Sequence, residues 1–589
     1  MHKNTVRKLS LEDWVLVLLC LSFTTLFSYL SLLRYQNFFT TNWDMGIAMQ
    51  MLWTNTHGYL LRETADLMGY GTPSFLEIHS TYIALPLSLI YYLYPKALTI
   101  FVMQALAISL SVIPLNEISK KHVDDARVRL LIAVVYLLSF PMVSGLLYDF
   151  HWEAFIPLEF FIFFLYLSEK KFIYSAFMLV IGSLTLEVFP VLAVGVIIYF
   201  AMSEYDLNPL HVLQLLKKRD FRSYFYLLVL TVIIYFLVRV GQSIIVPLFV
   251  SNSPNVSTLG STIASPVSSI SVSFYSLGTS AIYWLLIFFS FLFIPMLKPK
   301  TLVMSLPWMF NSIILSSSFS SFFGNQYAII AMPPIVIGFI LSLAEIQKKN
   351  SGNLNVLLMF LTAIAVIMGA AFFLGNYSSY LLEPNLTLPA ILLVSLLLFT
   401  LYMTFYLFRG RKPLGKALEK RYRNWGNMGW KKIILPFLLA LLLLNLSMSP
   451  LNAHNFQATP NPGYQFALGV NPAYVPIPNL TANLPNNASI VASDNLFPYV
   501  ANDPNAYSLY WFKANYTNIA YFPFNASNLP EFVFVDQYQL NLLPKFLNDT
   551  IFDKSIYGII AEIHYKKGYP GNIFLMEYQY SGKTRIYYA

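Results

Sequence analysis

Apolar stretches long enough to cross a bilayer recur along this chain, and no other feature narrows its fold as much. A helix needs about 17–25 predominantly apolar residues to span the hydrocarbon core. Runs of that order open at Trp14–Leu33 and return as far as 433–449. None alternates with period 2, which argues against a membrane barrel. The chain is 57% hydrophobic and only 11% charged over 589 residues, with a mean hydropathy of +0.58. It therefore reads as an all-α polytopic membrane protein. The stretch MHKNTVRK looks like a signal-peptide n-region. The run behind it is long and lacks a small-x-small cleavage site, so it is read as a retained first span. The single cysteine, Cys20, lies in that run, which leaves no disulfide framework and no Cys-based metal site.

Charge orients the spans. With Lys3, Arg7 and Lys8 on the cytoplasmic side, the first external loop is 34–81. Tyr82–Tyr94 is short and carries Pro86. Treated as a juxtamembrane helix rather than a span, it puts Lys120, Lys121, Arg127 and Arg129 inside. Further spans are expected near 97–116, 130–147, 154–168, 172–186, 188–201, 224–250, 280–296, 301–316, 327–344, 354–374, 388–408 and 433–449, about thirteen with the first. The inside segments then hold 26 of the 37 Lys and Arg. This accounts for the net charge of +9 without nucleic acid. Asn-x-Ser/Thr sequons at Asn255, Asn376, Asn385, Asn479, Asn487, Asn515, Asn525 and Asn548 all fall in segments placed outside, and Asn445 lies inside the last span. A glycosylated exterior, as on an archaeal cell surface, is expected. Residues 1–450 form the membrane domain. From about Leu451 the apolar runs shorten to strand length, in SIVAS, EFVFVD, GIIAEIHY and NIFLMEYQY. Residues 451–589 are read as a small external α/β domain.

This topology gathers acids at the outer membrane surface: Asp44, Glu77, Asp149, Glu153 and Glu187, with His79 and His151 beside them. Glu187 stands 16 residues after Lys171, about 24 Å along a helix and short of a ~30 Å core. Arg239, about fifteen residues into its span from the inside, reaches a similar depth. Ionisable groups at such depths are costly and are usually functional or paired. Asp149, His151 and Glu153 point one way on an extended chain, as a metal or acid/base cluster needs; on a helix only Asp149 and Glu153 share a face. The plain alternatives are helix caps: Asp149 for the next span, and Asp44 for AMQMLW, an amphipathic stretch expected to lie at the interface. His79 suits a ligand, a base or an interfacial hydrogen-bonding group. Arg239 suits a phosphate or an internal acid. P-loop, G-x-G-x-x-G, H-E-x-x-H and G-x-S-x-G patterns are lacking, so ATP-driven transport and serine hydrolysis lose support.

The stretches NWDMGIAMQMLWTNTHG, IHSTYIALPLSLIYYLYPKALTIFVMQALAISLSVIPL, YLLSFPMVSGLLYDFHWEAFIPL and LPNNASIVASDNLFPYVAND resemble a family of archaeal and bacterial predicted membrane proteins. That family is a domain of unknown function related to the C-type (GT-C) glycosyltransferases. The resemblance implies a GT-C-like fold and transfer of a sugar from a polyprenyl-phosphate carrier to an acceptor on the outer face. It matches Asp44 to the acid of the first external loop and the segment from Asp149 to Glu153 to the second outer motif. Leu186-Glu187-Val188 aligns where the family reads Lys-Glu-Asp, so the third motif is incomplete here. On this basis Asp44, Asp149, His151, Glu153 and Glu187 are the expected catalytic set, with His79, Glu77 and Arg239 for substrate. A divalent cation, Mg2+ or Mn2+, is a candidate cofactor for Asp44, Asp149 and His151, although no residue pattern names a metal. The rival readings are a transporter or flippase for lipid-linked sugars and a non-enzymatic envelope protein. The expected location is the plasma membrane, with the N-terminus cytoplasmic and the C-terminal domain outside. The expected partners are membrane lipid, lipid-linked sugar and an acceptor.

Overall fold

A computed structural model describes residues 9–205, 215–250, 274–314, 324–374, 393–402, 429–452, 455, 467–510, 522–564 and 571–589. The sequons at Asn255, Asn376, Asn385 and Asn515 lie outside the described residues. The chain is mostly helical and carries a sheet near its C-terminal end.

Among the described residues five helices are long and apolar enough to cross a membrane: Leu11–Gln36, Ala97–Lys120, Arg219–Phe249, Tyr327–Glu345 and Asn355–Leu374. Ala126–Leu137 and Phe140–Tyr148, bent by 43°, make a sixth if they act together. The expected count of thirteen is not reproduced by length. Phe172–Thr185 has 14 residues, which rise only about 21 Å. The stretch 301–316 is divided between Pro299–Leu302 and Leu306–Ile314, each with proline in its first turn. The stretches 327–344 and 354–374 share one continuous helix, Tyr327–Leu374. No proline stands between them to break it.

Side chains tie the helices together. Cys20 Sγ donates to the Ser109 carbonyl at 3.3 Å, and the Thr24 and Ser109 hydroxyls lie 3.0 Å apart. At the bend, the Phe140 N–H donates to Asn445 Oδ1 (3.2 Å). Asn445 Nδ2 donates in turn to the carbonyls of Ser290 and Leu441. A backbone group freed inside a membrane helix needs such a partner.

The first loop departs from expectation. Ile47–Asn55, which contains AMQMLW, is buried along most of its length rather than lying at the lipid interface. The C-terminal segment covers it: Gln50 Nε2 donates to the carbonyls of Asp503 (2.8 Å) and Ala506 (3.1 Å). Tyr82–Tyr94 does hold a short helix, Ala84–Leu93, and Leu89, Tyr92 and Leu93 remain exposed on it.

Six strands form the sheet: β1 Ile490–Ala492, β2 Ala506–Ser508, β3 Phe532–Asp536, β4 Tyr557–His564, β5 Asn572–Tyr578 and β6 Arg585–Tyr588. Their order is β2-β1-β3-β5-β4-β6. β1 is parallel to both neighbours, whereas β5 is antiparallel to β3 and β4. Every residue of β1, β2 and β3 is buried, as expected of strands covered on both faces. Ile490, Leu496 and Phe497 belong to the same buried cluster as the membrane helices. The sheet is thus packed onto the membrane domain and shares its core. β1, β3, β4 and β5 coincide with the apolar runs read from sequence, whereas β2 and β6 do not.

Candidate active site

The site starts from a turn. After extended Thr41, residues Asn42–Gly46 form one π-helical turn before Ile47–Asn55 continues as α-helix. Asp44 sits in this turn and caps no helix: neither helix start has a side-chain cap. The nearby Tyr148 hydroxyl favours its ionised form. His151 Nδ1 stands 3.6 Å from Asp44 Oδ1, too long for a direct hydrogen bond. The His151 ring stacks on Tyr148, nearly parallel at 4.9 Å. Its Nε2 is buried and has no hydrogen-bond partner.

A glutamine in the second long helix fixes the backbone that carries Asp149 and His151. Gln104 Nε2 donates to the carbonyls of Leu146 and Asp149, both at 2.9 Å, and its Oε1 accepts from His151 N–H at 2.7 Å. Asp149 faces the other way. Its carboxylate accepts from the N–H groups of Thr41 (3.3 Å) and Phe150 (2.9 Å), near the buried Arg34. Arg34 donates to the carbonyls of Phe39 and Tyr148. Asp149 thus braces the approach to the Asp44 turn and does not line the cavity.

That cavity measures about 710 Å³. Of the eight residues singled out from sequence, Asp44, Glu77, His79, His151, Glu153 and Arg239 line it, while Asp149 and Glu187 stand behind the wall. Glu187 acts through His79: its Oε1 lies 2.8 Å from His79 Nδ1, and its Oε2 accepts from Ser80 N–H at 3.0 Å. Arg239 Nη1 donates to Gln242 Oε1 (3.1 Å), and Gln242 Nε2 donates to the Ile78 carbonyl (3.1 Å). A second π-helical turn, Gly241–Ile245, follows Arg239 and brings Gln242 and Ser243 to the cavity. Such turns often mark functional sites. The nearby Gln326 amide favours the ionised form of Glu153. Glu77 shares a capping box with Ser74.

Burial sets the charges. It pushes the Asp44 carboxyl well above the usual carboxylate range, and the Asp149 and Glu153 charges add to the effect. Burial likewise raises Asp149 and Glu153 to about 7, against the hydrogen bonds that favour their ionised forms. It lowers His151 to about 3, leaving a neutral imidazole. At His79 burial lowers the pKa, but the adjoining Glu187 carboxylate outweighs it and holds the imidazole at about 9. At Glu187 the same contest runs in reverse: burial raises it, His79 and the Ser80 N–H lower it, and the result is about 2. His79 is therefore an imidazolium at neutral pH, a second cation beside Arg239.

The sequence reading missed Gln104, Tyr148, Gln326 and the buried acids Glu63 and Asp66. The N–H of Asp66 donates to both oxygens of Glu63, and Asp66 lines the cavity. The acid spacing Glu63-x-x-Asp66 was visible, but nothing in it separates a buried pair from an exposed one. Among the described residues no three His, Cys, Asp or Glu side chains converge as a metal site.

Four acids, Asp44, Asp66, Glu77 and Glu153, and two cations, Arg239 and the His79 imidazolium, thus line one cavity of a helical membrane protein. The chain belongs to the family of predicted membrane proteins DUF2079, whose model matches residues 34–407. No curated protein matches it. The chain is also similar to the crystal structure of ArnT from Cupriavidus metallidurans bound to undecaprenyl phosphate. That similarity has a TM-score of 0.47 at 11% identity and covers 96% of this chain and 98% of ArnT. Against the apo state of ArnT the TM-score is 0.44 at 12% identity, covering 94% and 98%.

Proposed function

We propose that the protein is a glycosyltransferase that moves a sugar from a polyprenyl-phosphate carrier to an acceptor on the outer face of the membrane. The observation that carries this reading is the opposition within one cavity: an uncapped, pKa-raised Asp44 faces a space that Arg239 and the His79 imidazolium also line. Asp44 takes the proton of an acceptor hydroxyl or amide. The freed electron pair forms the bond to the anomeric carbon as the carbon–oxygen bond to phosphate breaks. Charge grows on the departing phosphate, where Arg239 and His79 offset it. His151 and Glu153 line the acceptor side. Inversion at the anomeric carbon follows from a single displacement.

The test is transfer of labelled sugar from polyprenyl-phosphate donors to envelope acceptors by the purified protein in lipid, beside Asp44→Asn. General-base loss costs about 10²–10⁴-fold in rate. Transfer by the wild type that vanishes in the variant, with carrier binding intact, supports the reading. Normal transfer by Asp44→Asn removes Asp44 as the base. Carrier binding by both forms without any transfer favours a lipid-linked-sugar transporter.

A further inference from the structure

The segment 484–503, singled out in the sequence but idle in the chemistry above, closes directly on the turn that bears Asp44. Asp494 lies just past the carboxyl end of β1, a strand parallel to both its neighbours. In open α/β sheets that end is where sites are built. The Asn42 N–H is received there twice, by the Asp494 carbonyl (3.0 Å) and by Asp494 Oδ1 (3.1 Å). Asp494 is itself anchored, its N–H donating to Gln539 Oε1 at 2.9 Å. Three residues on, the buried Phe497 ring packs against Gly46. A Cβ at Gly46 would stand 2.5 Å from Phe497 Cδ1, closer than real atoms come. Trp43 stacks on Tyr510 with ring centroids 5.0 Å apart. Asn42, Trp43 and Gly46, three of the five residues in the turn, are thus held from the C-terminal segment, and Asp44 stands between them.

We propose that Asp494 and Phe497 are positioning residues that set the angle at which the Asp44 carboxylate enters the cavity. The inference rests on the glycosyl-transfer reading for its consequence in rate. A π-helical turn is rare and short on its own, so contacts from outside decide its geometry. Neither residue lines the cavity, so they act through the turn. They govern the chemical step and leave carrier binding alone, because the carrier's phosphate meets Arg239 and His79 on other elements. A misplacement of about 1 Å in a reacting group costs on the order of 10²-fold in rate.

The experiment uses the full-length protein in lipid as wild type, Gly46→Ala, Phe497→Leu, the double variant Gly46→Ala/Phe497→Leu, Asp494→Ala and Asp494→Asn. Each is read by kcat, by KM for the carrier, and by amide hydrogen exchange over 41–47. Gly46→Ala should lower kcat about 10²-fold with KM within about twofold of wild type, and speed exchange over the turn. Adding Phe497→Leu makes room for the new methyl and should recover most of the loss. Asp494→Ala should lower kcat, and Asp494→Asn should restore it, because its amide oxygen still accepts from the Asn42 N–H. Equal losses from Gly46→Ala with and without Phe497→Leu would overturn the proposal, as would unchanged exchange and kcat in Asp494→Ala. Should Gly46→Ala not fold, the Asp494 pair decides alone. If the wild type transfers no sugar, the reaction reading fails, and exchange over the turn still decides whether the segment holds it.

Discussion

Glu187 keeps His79 charged, and its replacement by Gln should move the pH at which the protein releases its carrier. In the wild type His79 titrates at about 9. Glu187→Gln removes the carboxylate that lifts it most, while Asp66 and Glu153 still raise it and burial lowers it, so His79 should then titrate below about 9. The variant therefore loses the cation at a lower pH than the wild type. The His79 side chain is 43% exposed, so water in the cavity screens the pair and the effect is read as a displaced midpoint, not as stability. The assay is binding of polyprenyl phosphate to the protein in nanodiscs from about pH 5.5 to about pH 9.5. Affinity in the wild type should fall as pH rises through about 9. In Glu187→Gln the fall should come at lower pH, with the two proteins converging in acid. An unchanged midpoint would refute both the charge assigned to His79 and its place on the phosphate.

Arg239→Ala should weaken carrier binding at every pH in that range, and Arg239→Lys should recover part of it, since Lys keeps the charge but not the fork that holds Gln242; equal binding by all three would remove Arg239 from the phosphate. On the opposite side of the fold, Arg129 donates to both oxygens of Glu12, at 2.9 and 2.5 Å, with both side chains about nine-tenths buried. Glu12→Ala leaves that guanidinium only the Val123 and Asp124 carbonyls and should cost about 2 kcal/mol, measured as a lower midpoint of thermal unfolding in detergent. Asn479, Asn487, Asn525 and Asn548 are exposed, so in a glycosylating host each Asn→Gln change should remove one glycan step in gel mobility, and the pattern reports which side the C-terminal domain occupies.

The helical membrane class was legible because it depends on local quantities. Apolar length and the absence of period-2 alternation are properties of contiguous residues, and β1, β3, β4 and β5 announced themselves as short apolar runs in the same way. β2 reads Ala-Tyr-Ser, too mixed to form an apolar run, and β6 is a largely exposed edge strand, so neither leaves an apolar signature; both exist because a neighbour pairs with them. The acids were found by their level in the membrane, which follows from counting residues along spans. Their roles were not found that way. Asp44 and Asp149 look alike in sequence, yet one faces the cavity and the other holds Thr41 N–H. His79 meets Glu187 across 108 residues, and Asp494 meets Asn42 across 452. The sequence by itself determined that the chain is a helical membrane protein, because transfer of apolar and charged groups from water depends on composition along short stretches. Only the tertiary structure decided which carboxyl faces the cavity, which imidazole is charged and what holds the Asp44 turn, because hydrogen bonds and charge pairs reach a few ångströms through space and join residues that no local pattern brings together.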